Sequence, residues 1–167
     1  LLCHLYMQIR QNAHLNFGKT EAFSLSGSPL PSWQAFLLLM NITSWHDRSS
    51  PTPIRYLGYP LCSSVAQRNI AFSRMTDTIR QSCFLHFQRQ LSIRGRATVL
   101  NSLIFSKLWH VLRLSTFTKS QMSTIRGIGS SFVNHRVFPK FAFTLLQASR
   151  SKGGLAIIDP VCKISYM

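Results

Sequence analysis

SVAQRNIAFSRMTDTIRQSCFLHFQR, residues 64–89, places Phe72, Met75, Ile79, Cys83 and Phe87 three to four positions apart. At 3.6 residues per turn these side chains fall on one face, so the spacing predicts an amphipathic helix from about Ser64 to Arg89. The same period continues downstream. A second helix is expected from about Gly95 to Leu114, with Leu100, Leu103, Ile104, Leu108, Val111 and Leu112 on its apolar stripe. A third runs from about Thr118 to Val133, with Met122, Ile125, Ile128 and Phe132 facing inward and Thr118 as its N-cap. Three such helices on short connections should pack as a small bundle.

Upstream the pattern is mixed. Residues 2–14 read as the last turns of a helix, and Ala22, Phe23 and Leu25 then alternate with Glu21, Ser24 and Ser26, the period of a half-buried strand. Gly27-Ser28-Pro29-Leu30-Pro31 breaks the chain, and Ser32 to Met40 restarts as a short helix capped by Ser32. Ser49-Ser50-Pro51-Thr52-Pro53 is a second breaker, followed by an extended run from Ile54 to Tyr59. The expected fold class is therefore α+β and mostly α, with short strands followed by a helical bundle. No internal repeat is visible.

Only Glu21, Asp47, Asp77 and Asp159 oppose 19 Lys and Arg, for a formal charge of +15 on 167 residues. Such a chain repels itself unless an anion is near, which makes nucleic acid the first partner to consider and an acidic membrane surface the second. Four scattered carboxylates also make a site for a hard cation difficult to build. At 46% hydrophobic residues the chain can bury a core and is not a disordered basic tail. The longest apolar run, Ala35 to Met40, falls well short of the roughly 20 residues of a membrane span. The start, Leu1-Leu2-Cys3-His4, lacks the features of a signal peptide and reads as a chain cut from something longer. Cys3, Cys62, Cys83 and Cys162 share no repeated interval, so reduced buried thiols are expected. Asn41-Ile42-Thr43 matches a glycosylation sequon and carries little weight without a secretory signal.

The basic residues cluster. Arg68, Arg74, Arg80, Arg89, Arg94, Arg96, Lys107 and Arg113 lie within 46 residues that contain one acid, Asp77. Arg94 and Arg96 bracket Gly95 near the start of the second helix, where free N–H groups and the helix dipole favour a phosphate. The alternative is a solvated basic face. Cys83 and His86 stand at i, i+3, a spacing that can share a metal, but a buried thiol beside a half-exposed imidazole suits the pattern better. Neither Thr116 with Lys119 nor any Ser near His or Asp forms a nucleophile arrangement. The glycines at 127, 129, 153 and 154 lack the Lys-Ser/Thr context of a phosphate-cradling loop.

Four segments in order resemble the reverse transcriptases of LINE-type (non-LTR) retrotransposons. Leu15-Asn16-Phe17-Gly18-Lys19-Thr20-Glu21-Ala22-Phe23 is similar to the Asn-x-x-Lys-Thr/Ser segment after the catalytic Asp-Asp hairpin of the palm. Ile54-Arg55-Tyr56-Leu57-Gly58-Tyr59-Pro60-Leu61 resembles the Tyr-Leu-Gly primer grip. Leu91 to Ser102, continuing through Ser106-Lys107-Leu108-Trp109, resembles the thumb, and Gly153-Gly154-Leu155 the Gly-Gly-Leu stretch beyond it. The resemblance covers about Leu15 to Pro160. It implies three segments: the end of the palm with the primer grip at 1–61, a helical thumb at 62–136 and a post-thumb segment at 137–167.

By this resemblance Lys19 is the candidate auxiliary catalytic residue, a cation near the leaving pyrophosphate, unless it merely caps a strand edge. Tyr56, Leu57 and Gly58 would sit at the primer grip, with the Tyr56 ring packed. Arg89, Arg94, Arg96 and Lys107 would hold a template–primer by its backbone, largely independent of sequence. The fingers and the catalytic aspartates would precede Leu1, so the chain alone is expected to be inactive, with no metal site and no cofactor of its own. Mg²⁺ is expected only for the full-length polymerase. The implied partners are RNA and DNA, as heteroduplex or template–primer, together with the missing fingers and palm, and no membrane; the expected location is intracellular, nuclear or cytoplasmic. A stand-alone basic nucleic-acid-binding module and a decayed transposon remnant are the alternatives.

Overall fold

The computed structural model describes residues 16, 19–113, 115 and 117–164. The helix expected over 2–14 lies outside them. The protein is α+β and mostly helical, with a few short strands. It divides into two compact units, one of residues 1–54 and 62–67, the other of residues 55–61 and 68–167.

In the first unit β1 (Glu21–Phe23) pairs in parallel with β2 (Ser44–His46), Ala22 opposite Trp45, and α1 (Pro31–Leu39) makes the crossover that parallel strands require. Of the alternating stretch only Glu21–Phe23 is strand; beyond it the burial reverses, with Ser24 buried and Leu25 95% exposed. The helix start differs from expectation: Leu30 occupies the N-cap without a side-chain bond and Pro31 opens the helix, so Ser32 is not the cap. Proline is suited to that first position because its fixed φ is already helical and its missing N–H has no partner there. No residue of α1 is buried, and Trp33, Phe36, Leu38 and Leu39 are all exposed. The buried Gln67 side chain donates to the carbonyls of Asp47 at 2.7 Å and Ser50 at 3.0 Å and accepts from the Ser63 amide at 2.7 Å, so one amide satisfies three backbone groups.

Ile54 to Tyr59 is not one extended run. β3 (Ile54–Tyr56) turns at Leu57 and Gly58 into β4 (Tyr59–Leu61). Leu57 has φ 51° and Gly58 φ 87°, and two positive φ values at the centre are the signature of the type I′ turn that matches strand twist.

The helices of the second unit follow the expected period with one interruption. α2 (Val65–Phe87) buries Ile79 and Cys83 and half-buries Phe72, Met75 and Phe87 against the core. α3 (Ile93–Val99) starts two residues before the expected Gly95 because Ser92 caps it, its hydroxyl accepting from the Gly95 amide at 3.2 Å. A π segment (Leu100–Ile104) then leads into α4 (Phe105–Leu112), with the Phe105 amide bonded to the Leu100 carbonyl. The wider i→i+5 turn shifts the apolar face. Leu100, Ile104, Phe105 and Leu108 are buried, whereas Leu103, expected on the stripe, is 50% exposed.

α5 (Lys119–Val133) has Thr118 as its N-cap, in a capping box with Gln121, and buries Met122, Ile125, Phe132 and Val133. Gly129 lies at the helix crossing, where a Cβ would stand 2.9 Å from Phe105 Cζ and 3.2 Å from Leu100. α6 (Phe143–Gln147), a 3-10 turn (Arg150–Lys152) and α7 (Pro160–Ile164) complete the unit, and Leu146 and Ile157 join the core. Each such side chain contributes about 1.5–3 kcal/mol on full burial, so the bundle rests on this cluster.

Candidate nucleic-acid interface

The charge is segregated. The second unit holds 16 of the 19 Lys and Arg but only Asp77 and Asp159 among the acids, a formal 16 minus 2, or +14 of the chain's +15. Both acids are occupied. Asp77 accepts from Arg80 at 3.1 Å on the surface of α2. Asp159 is buried and takes both forks of Arg126, whose guanidinium also lies 5.0 Å from the Phe143 ring centre. Burial opposes ionisation of Asp159, but the Arg126 hydrogen bond and the Val161 amide outweigh it and hold the carboxyl below its ordinary range. Asp159 thereby also caps α7.

Of the arginines expected to grip phosphate, Arg94 and Arg96 point to different tasks. Arg94 is exposed and has no hydrogen bond or ion pair from its side chain among the described residues. Arg96 is half-buried and committed: its guanidinium donates to the carbonyls of Leu91 at 3.0 Å, Val133 at 3.1 Å and His135. The Val133 and His135 carbonyls lie at and just beyond the end of α5, where no intrahelical partner is available, so Arg96 caps α5 from α3, while its bond to Leu91 ties it to the loop before Ser92. Arg96 is thus a structural tie between α3 and the end of α5, a task Arg94 does not share. Arg89, just past α2, and Lys107, on α4, are exposed.

Two clefts flank the first turn of α3. One of about 540 Å³ is lined by Phe87, Gln88, Gln90, Arg96, His135 and Arg136, with the His135 ring 4.2 Å from that of Phe87. The other, of about 230 Å³, is lined by Arg94, Ala97, Thr98, Arg150, Gly154 and Leu155. Lys107 lines neither.

The β3–β4 turn is pinned within the same unit. The Tyr59 ring stacks on His110 of α4 at 4.2 Å, and the His110 Nε2 lies 3.4 Å from the Leu57 carbonyl. A Cβ on Gly58 would stand 3.4 Å from that nitrogen, so the turn approaches the imidazole closely. Tyr56 does not pack as expected: it is 61% exposed, and Leu57 is 75% exposed at the tip. The hairpin thus presents Arg55, Tyr56 and Leu57 outward from a fixed base.

Lys19 belongs to the first unit and is exposed, in a turn where the Asn16 carbonyl accepts from the Lys19 amide at 3.0 Å and the Thr20 hydroxyl at 2.8 Å. It precedes β1, and its side chain has no hydrogen bond or ion pair among the described residues. Among the described residues no three His, Cys, Asp or Glu side chains are grouped as metal ligands, and no helix is long and apolar enough to cross a membrane. Cys83 is buried, which pushes its thiol up to about 11; Cys62 is half-buried and Cys162, contrary to expectation, is exposed.

His110, Arg126, Arg150 and Asn101 were missed in the sequence. Only Arg150, a cation just before Gly153-Gly154, carried a usable signal. Comparison of the chain with protein-family models, curated proteins and solved structures finds no match.

Proposed function

We propose that this chain is the end of the palm and the thumb of a LINE-type (non-LTR) retrotransposon reverse transcriptase, which grips template–primer through its backbone and does not polymerise alone. The observation that carries this reading is the charge segregation. A helical unit with a formal +14 has both of its acids already bonded to arginines, so exposed cations such as Arg89, Arg94 and Lys107 are left for an external polyanion. Arg94 and Lys107, on helices packed on one core, and Arg89, just past α2, supply backbone contacts, as an A-form heteroduplex requires. The exposed Tyr56 and Leu57 at the tip of a pinned hairpin suit a contact with the primer strand. Glu21 and Asp47, in the first unit, are also engaged, with His46 at 3.3 Å and with Trp45 and Ser49.

The test has two arms. RNA–DNA heteroduplexes of unrelated sequence should bind with dissociation constants within about threefold of each other, since phosphate contacts carry no sequence information. Primer extension with Mg²⁺ should stay at background. Incorporation by this chain alone would overturn the inactivity, and selective binding of one sequence would overturn the thumb assignment.

A further inference from the structure

We propose that the cleft between α3 and the Gly153–Gly154 turn is a phosphate-binding site whose two cationic walls are Arg94 and Arg150. The residues stand 56 positions apart in the chain, yet both line one cleft of about 230 Å³. Both are exposed, and neither side chain has a hydrogen bond or ion pair among the described residues, unlike Arg48, Arg80, Arg96 and Arg126. No acid lines the cleft. Two like charges facing one concavity repel, and an anion between them removes that repulsion while accepting from both guanidinium forks, whose planar geometry matches phosphate. The Thr98 hydroxyl is already donated to the Arg94 carbonyl at 3.1 Å, so recognition falls to the two arginines.

The walls are fixed. Gly153 turns the chain at φ 78°, and a Cβ on Gly154 would lie 2.0 Å from the Ala148 carbonyl oxygen, so only glycine fits. The Ala156 amide donates to Ala148 at 2.9 Å and the Ile157 amide to Leu146 at 3.1 Å. From the π segment the Asn101 side chain donates to the Ala156 carbonyl at 2.9 Å and accepts from the Ile158 amide at 3.1 Å, fastening this segment to the helix that carries Arg94. On the other wall, the buried Ala97 anchors α3 in the core. Neither arginine needs a large backbone rearrangement to meet an anion, which keeps the ordering cost of binding low.

That the phosphate belongs to a polynucleotide backbone rests on the function proposed above; that the cleft takes a phosphate group does not. The experiment separates the two. In the first arm, inorganic phosphate is titrated against the full chain at constant ionic strength while thermal melting is followed. The melting temperature should rise by about 2–4 °C at saturating phosphate, and Arg94→Ala and Arg150→Ala should each abolish most of the rise, with Lys140→Ala as a charge-matched control that keeps it. In the second arm, heteroduplex affinity is measured against salt, and either variant should make the logarithmic slope shallower by about 0.7–0.9, one phosphate contact.

If each variant keeps the full melting shift, the site is overturned. If phosphate acts through both arginines but the heteroduplex slope is unchanged in the variants, the cleft serves free phosphate and its assignment to the backbone is overturned. If wild-type chain binds no heteroduplex while the first arm succeeds, the proposed function fails and the phosphate site stands. Melting of both variants without phosphate reports their folding directly, and the loss of one of two like charges on exposed side chains predicts values equal to or slightly above that of the wild type.

Discussion

Arg96 of α3 donates a hydrogen bond of 3.1 Å to the carbonyl of Val133, the last residue of α5. The contact joins two helices of the bundle through one guanidinium that also meets Leu91 and His135. Arg96→Ala should therefore lower stability by about 2–4 kcal/mol, the cost of losing charge-assisted bonds to carbonyls left without partners. Urea unfolding measures it. Arg96→Lys should recover little, because a single ammonium cannot reach three carbonyls in a fixed fork. Unchanged stability with weakened nucleic-acid binding would return Arg96 to the phosphate face.

Two glycines of α5 should respond oppositely to the same substitution. Gly129→Ala drives a methyl to within 2.9 Å of Phe105 and should cost about 1–3 kcal/mol by overpacking. Gly127 has nothing within 4 Å of its added methyl, so Gly127→Ala should stabilise by up to about 1 kcal/mol through helix propensity and a less flexible unfolded chain. Paired urea melts check the sign of each. Equal effects would mean that the α4–α5 crossing is not as close as described.

Acid should weaken the fold through Asp159. Its carboxyl titrates below the ordinary value of about 3.9 because the Arg126 and Val161 bonds outweigh burial. A depressed folded value means that its contribution is complete above about pH 5 and is lost progressively as pH falls past the ordinary value and through the lower folded one. Asp47 shifts in the same direction, held down by the Ser49 hydroxyl and the Trp45 indole. Asp159→Asn should cost about 2–4 kcal/mol at neutral pH, below the range for a fully buried pair because Arg126 reaches solvent. It should also flatten the acid limb of a stability–pH curve measured by denaturant melts. An acid limb identical in wild type and variant would contradict this role.

Thiol labelling should discriminate Cys83 from Cys162. Burial raises the Cys83 thiol to about 11, so little thiolate forms at neutral pH and no reagent reaches it. Cys162 is exposed. Mass mapping after brief alkylation at pH 7.5 should find Cys162 modified and Cys83 unmodified until denaturant is added. Rapid Cys83 modification would mean that α2 opens locally.

The sequence was most legible where its period is unbroken. α2 and α5 follow 3.6 residues per turn from cap to end, and Thr118 is a cap by residue type, so both helices are readable. The second helix was readable in extent but not in phase, because a π segment at Leu100–Ile104 leaves no mark in composition and turns Leu103 outward. Ile54 to Tyr59 looked extended because Leu57 is an unusual occupant of positive φ; Gly58 alone hinted at a turn. At the candidate interface, residue type identifies a cation but not what its side chain meets. Arg94 and Arg96 are equivalent in sequence, and only the bundle separates a free guanidinium from one that caps a helix. The meeting of Arg94 with Arg150 depends on a chain reversal set by Gly154 and Asn101, which no local pattern encodes.

The dependence of heteroduplex affinity on salt is the most direct measurement of whether the second unit grips a nucleic-acid backbone. Log K should fall linearly with log salt concentration, with a slope of about −3 or steeper, as several released counterions require, and the slope should be the same for unrelated sequences of equal length. A slope near zero, or tight binding that survives high salt, would contradict a backbone grip by the basic helical unit.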